Sequence, residues 1–313
     1  MGTAILHLDT WNLAWHGFWT KIAPHCGHSD CMHTQSLWGR LRGKTGGVMI
    51  QGLRYCRDEC LERALTDAVR RIRQAAPRAP APHRIPLGLL LLSRQQITVE
   101  QLRAALAAQH AAAYGRIGEW LVNLGFVNEQ QVTAALARQW SCPVLRSNSW
   151  NLAPHVPQIP LTLLESFVMI PVDHVETTST LHIAFGEGID YSVLYAIEQM
   201  MGCHTEACMA VPSFVRKNLQ SISRHRGESE VVFDRVADAG EFSRIIQSYC
   251  VRLASPEIRL AGCGPFLWVR LLRSSRPPLD LLLRSPQADS VPVFPPAVLP
   301  SFPLSTPAPS KEM

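Results

Sequence analysis

Four cysteines early in the chain stand in two close pairs: Cys26 and Cys31 with four residues between them, and Cys56 and Cys60 with three. Twenty-four residues separate the pairs. Thiolates in that number suit Zn²⁺, which takes four ligands in a tetrahedron and supplies folding energy to a segment without a large core. The second pair lies in YCRDECLERAL, at the start of a helix, where unpaired N–H groups favour thiolate. Four sulfur ligands leave no open coordination position, so the expected role is structural. Four unliganded thiols are the bland alternative, and His25, His28 and His33 stand by as substitute ligands. The other five cysteines (Cys142, Cys203, Cys208, Cys250 and Cys263) are scattered in apolar surroundings and read as small core residues.

Other chemistry is sparse. Gly39 to Thr45 imitates a phosphate-binding loop but has three residues between its glycines where that motif needs four. It reads as a basic loop carrying Arg40, Arg42 and Lys44. The chain has no G-x-S-x-G, no H-E-x-x-H and no G-x-G-x-x-G. No enzymatic activity is therefore expected. The formal charge of +5 is met by a solvated basic surface and does not by itself require nucleic acid. No stretch approaches the ~20 apolar residues that span a bilayer. The first residues lack a basic region ahead of an apolar core. The expected location is the cytoplasm, without membrane insertion.

The elements that must position these residues follow from spacing and caps. Leu61, Leu65, Val69 and Ile72 recur at helical intervals after Cys60. Thr98 with Gln101 forms a capping box, and Asn128 stands three before Gln131 in the same arrangement. The fold class is α+β, and the 313 residues divide as follows. A leader (1–22) precedes a zinc-finger-like unit (23–74) and a Pro/Ala linker (75–83). A tandem helical-hairpin repeat with a small α/β domain occupies 84–224, and a small α-β-β-β unit 232–285. The Pro- and Ser-rich segment 286–313 is expected to be disordered.

The repeat has a 30-residue offset. PLGLLLLSRQQITVEQLRAALAAQ (86–109) aligns with RIGEWLVNLGFVNEQQVTAALARQ (116–139). Leu87 matches Ile117, Gly88 matches Gly118, Leu91 matches Leu121, Leu92 matches Val122 and Gln109 matches Gln139. Each copy reads as a short apolar helix, a turn and a capped helix. A four-helix packing unit explains the apolar matches. It does not explain an Arg before the apolar-Gly pair, or a terminal Gln.

Those residues resemble the tandem motif in the N-terminal domain of type II secretion and type IV pilus ATPases: R-L-G-x-x-L-V, a later Gly, and a helix ending L-x-x-Q. The resemblance implies cyclic di-GMP as ligand. Gly would admit the ligand to the backbone, Arg would engage a guanine edge, and apolar side chains would pack on the purine. Carried over, the second copy is intact: Arg116, Ile117, Gly118, Leu121, Val122, Gly125 and Gln139. The first copy offers Leu87, Gly88, Leu91 and Gln109, but has Pro86 for the Arg and Gln95 for the later Gly, with Arg84 two positions early. Residues 143–224 read as β-β-α-β-α, similar to the rest of that domain, which implies docking to another protein. Residues 241–283 look like a degraded copy of the small domain that precedes the ATPase core. The cysteine unit resembles a treble-clef zinc finger. Together these imply a non-catalytic regulatory or adaptor protein that docks on a secretion, pilus or envelope partner. The alternative is a nucleic-acid-binding regulator that uses the zinc unit and its basic loop.

Overall fold

A computed structural model describes residues 26–28, 31, 47–74, 84–145, 158–225 and 230–284. The expected leader, linker and Pro-rich tail, the basic loop, His25 and His33 lie outside the described residues. The fold is mixed α+β with two sheets. Among the described residues no helix is long and apolar enough to cross a membrane. By the grouping of its contacts the chain divides into a helical unit, Pro86–Asn128, and a larger unit that holds both sheets.

The helical unit contains α1 (Leu87–Ser93), α2 (Val99–Ala112) and α3 (Ile117–Asn123). Gly88 is buried where α1 meets α2: a Cβ there would stand 2.7 Å from Leu102 Cδ1. The capping box closes as expected, with Gln101 N–H donating to Thr98 Oγ1 at 3.2 Å and Thr98 N–H to Gln101 Oε1 at 2.9 Å. The turns after α1 and α3 are built alike. Gly125 has φ +72 and donates its N–H to Val122 O, while Gln95 has φ +56 and donates to Leu92 O. The later Gly of the motif thus serves a left-handed turn. Gln95 keeps that turn although its Cβ crowds the next carbonyl.

In the larger unit, α4 (Glu129–Gln139) and α5 (Leu161–Ser166) precede a three-stranded sheet. Its strands are β1 (Met169–Val175), β2 (Thr180–Phe185) and β3 (His204–Met209). They lie in the order β1-β2-β3, the first pair antiparallel and the second parallel through α6 (Tyr191–Met201). Helix α7 (Pro212–His225) closes the layer. The boundary between units falls after Asn128, so α4, the last helix of the second repeat copy, groups with the sheets. It packs beside β3, and Glu129 accepts hydrogen bonds from the Ser213 N–H and hydroxyl at the start of α7.

The second sheet is six-stranded. Hairpin β4 (Val48–Ile50) and β5 (Leu53–Tyr55) turns on Gln51 and Gly52, both at positive φ, as a two-residue hairpin of right-handed twist requires. Helix α8 (Asp58–Gln74) follows the hairpin. Much later come β6 (Glu230–Phe233), α9 (Ala239–Leu253), β7 (Glu257–Cys263), β8 (Phe266–Leu272) and β9 (Leu279–Arg284). The strand order is β5-β4-β7-β8-β9-β6. Read from sequence, residues 23–74 and 232–285 are separate pieces; the structure joins them in one sheet. A hairpin of three-residue strands cannot stand alone in water and needs that neighbour. The turn between β7 and β8 is only Gly264 and Pro265, because Cys263 still pairs with Phe266.

Both faces of this sheet are covered. Ile258, Leu260, Val269 and Leu281 share a core with Leu65 and Val69 of α8 and Phe242 and Ile246 of α9. Cys263, Phe266, Trp268 and Leu282 face the other way, into the core around Ile170, Phe185 and Ile197. Strands buried on both sides read as continuous apolar runs, hence FLWVRLL. The exception is one charge pair. Arg270 and Asp280 are register partners, 6% and 4% exposed, joined by Nε–Oδ1 and Nη2–Oδ2 bonds of 2.7 Å.

Two stability outcomes follow. Asp280→Ala leaves Arg270 buried and unpaired, and should cost about 3–5 kcal/mol in urea unfolding. Gln95→Gly relieves the left-handed backbone while loosening the unfolded chain, for a net gain of up to about 1 kcal/mol in the same assay.

Candidate functional site

The four paired cysteines converge. Their sulfurs all lie within 4.8 Å of one another. Cys31 Sγ stands 3.5 Å from Cys56 Sγ and 3.8 Å from Cys60 Sγ. Thiolates at ~2.3 Å from one zinc ion are about 3.8 Å apart along the edges of a tetrahedron, so the set fits a single ion. Local structure brings them there. The Cys31 N–H donates to His28 O at 3.2 Å, which draws Cys31 back toward Cys26. The Gly27 N–H donates to Arg54 O at 2.7 Å and holds Cys26 beside β5. A side chain at 27 would meet the Tyr55 ring at 3.0 Å. Cys56 follows β5 directly, and Cys60 sits in the first turn of α8. All four are half-buried. Burial, with hydrogen bonds to Cys31 and Cys26, pushes the metal-free Cys56 thiol up to about 12, and the same causes raise Cys60. This is a donor set that a soft dication converts to thiolates by displacing protons.

The second candidate is the repeat. Arg116 is exposed at the N-cap of α3, and its N–H donates to Glu119 Oε2 at 3.1 Å. Ile117 and Val122 are half-buried, and Gly118 is buried in the first turn of α3. Gly125 is exposed in the turn after α3. Leu91 and Leu121 are fully buried and Leu87 nearly so. Gln109 ends its copy by donating from Nε2 to Gly115 O at 2.8 Å, on the residue just before Arg116. In the larger unit, Gln139 donates to Ile85 O at 2.7 Å, on the residue just before Pro86. The two glutamines, one repeat apart, therefore hold carbonyls one repeat apart. This gives the terminal Gln a structural purpose that spacing alone does not reveal.

Arg84 also has a place. Its guanidinium lies 3.4 Å from the centroid of the Trp140 ring, which is packed in turn 6.0 Å from Tyr191. Trp140 follows Gln139, so the Gln139–Ile85 bond and the Arg84–Trp140 stack fasten the same stretch. Nothing in the motif marks Trp140; its signal is only that an aromatic adjoins the repeated Gln.

No protein-family model matches the chain. Among characterised proteins, it is 25% identical over 159 residues to the type IV pilus assembly ATPase PilB of Myxococcus xanthus (strain DK1622). That alignment takes in 50% of this chain and 27% of PilB, so the chain spans about a quarter of that relative's length. Among solved structures, MshE with cdg is 27% identical and the match covers 44% of this chain and 99% of that one, at a TM-score of 0.38. The N-terminal domain of XpsE is 18% identical, with 43% of this chain and 91% of that one covered, at a TM-score of 0.35. The sequence match to PilB carries the likeness: over half its length this chain resembles part of a type IV pilus assembly ATPase.

Proposed function

We propose that this chain is a non-catalytic regulatory or adaptor protein of the cytoplasm, docking on a secretion or pilus component under the control of cyclic di-GMP. The observation that carries the reading is the intact second motif. Its Arg116 is exposed at the N-cap of α3, one residue from a half-buried Ile117 and two from a buried Gly118. A guanidinium so placed can meet the O6/N7 edge of a guanine, with Ile117 and Val122 offering apolar contact. Leu87, Gly88, Leu91 and Leu121 would act from beneath as packing, Gly125 through its turn, and Gln109 and Gln139 through the carbonyls that they hold. Pro86 deprives the first copy of its charged contact, which should weaken binding by about 1.5–3 kcal/mol, or roughly tenfold to a few hundredfold. Calorimetric titration of cyclic di-GMP into the full chain should give micromolar binding that Arg116→Ala abolishes. Absence of heat at millimolar ligand would sink the messenger reading and leave the repeat as scaffold.

Cys26, Cys31, Cys56 and Cys60 are proposed to hold one structural zinc ion. The sign of its pH dependence follows from the raised thiols. Groups protonated at neutral pH must lose protons on binding, so apparent affinity falls as pH falls. Zinc titration in buffers of different ionisation enthalpy should show net proton release at neutral pH, from Cys56 and Cys60 at least. Uptake without proton release, or no zinc uptake at all, would contradict a four-thiolate site.

A further inference from the structure

Strand β4 is a short link between the outer strand β5 and the rest of the six-stranded sheet. It has three residues, and only Met49 and Ile50 have partners in β7, at Glu257 and Ile258. The Met49 N–H donates to Pro256 O at 2.9 Å and the Gln51 N–H to Ile258 O at 3.3 Å. Gln51 Nε2 adds a bond of 3.0 Å to Leu260 O. Its outer neighbour β5 is equally short. By contrast, β7 pairs with β8 along all seven of its residues. The hairpin therefore needs a fastening, and the cysteines stand at its ends. Cys26 adjoins Gly27, which bonds to the outer strand, and Cys56 follows that strand. Cys60 belongs to α8, which is anchored by Leu61, Leu65 and Val69 in a core shared with α9 and with Ile50 and Tyr55 of the hairpin.

We propose that the four cysteines work as a metal-operated latch over the edge of β7. The inference rests on the zinc reading above. With the sulfurs held together, hairpin β4–β5 is clamped between α8 and Gly27 and covers β7. With the sulfurs released, the hairpin lifts and β7 becomes an edge strand with one row of backbone groups open to pairing. Helix α8 stays docked on α9, because Leu65 and Val69 keep Phe242 and Ile246 as partners in their shared core when the hairpin's Ile50 and Tyr55 leave it. The β7-β8-β9-β6 ladder stays closed.

Hydrogen exchange on the full chain, loaded with zinc and then stripped with EDTA, tests this. Stripping should speed exchange at least about tenfold in residues 48–56 and at alternate amides of β7, with less than about twofold change across 266–284. A Cys56→Ser, Cys60→Ser double variant kept in zinc should match the stripped protein; if it fails to fold, the EDTA comparison on the natural chain still decides. Zinc uptake with unchanged exchange in 48–56 overturns the latch and leaves the zinc site standing. Loss of protection throughout 257–284 also overturns it, because the metal would then support the whole sheet. No zinc uptake overturns both readings.

Discussion

The Arg270–Asp280 pair constrains everything around it. Asp280 accepts from Arg270 through Nε and Nη2 and from Trp268 Nε1 at 2.8 Å. Arg270 also reaches Gln158 O, ahead of α5, and Met201 Sδ at the end of α6. Both charges point to the face of the sheet that meets the α/β layer. A one-residue slip of β9 would swing Asp280 away from Arg270 and into the apolar helical core beside Leu65 and Val69. A buried pair of this kind adds little net stability but penalises the wrong arrangement heavily. It fixes the register of β8 and β9 and, through Gln158 and Met201, the way the sheet seats on its neighbour.

Much of the architecture was legible because its signals are local. Strands β1 to β3 and helices α6 and α7 follow from apolar runs cut by Pro, Gly and capping residues such as Asp190, whose side chain accepts from Ser192 N–H. The capping box at Thr98 was legible for the same reason. What stayed hidden depends on distant partners. Nothing in Val48-Met49-Ile50 announces a strand until Glu257 and Ile258 lie beside it. Strand β6 is likewise defined by its parallel partner β9. The cysteines were found by spacing alone, because four soft ligands for one ion carry their chemistry in their type. The glutamines were found by repetition, but the carbonyls that they hold, Gly115 O and Ile85 O, could only be read from the fold.

The two copies of the repeat share a frame and differ in charge. Gln109 and Gln139 grip equivalent carbonyls. Gln95 and Gly125 take the same left-handed turn. Leu91 and Leu121 are both fully buried. At the entry to each copy the chemistry parts, with Pro86 in one and Arg116 in the other. The geometric residues persist where the charged one does not, so the repeat can keep its shape whatever becomes of its ligand.

The contact between Gln51 and Leu260 bridges 209 residues of chain. On a ribosome adding ~5–20 residues per second, the hairpin emerges roughly 10–40 s before the strand that it completes. Through that interval the first-made strands have no sheet to join. The nascent chain must then carry an unfinished edge and four thiols through the synthesis of the 209 residues that separate Gln51 from Leu260. An early ligand for those sulfurs would shelter both until the last strands arrive.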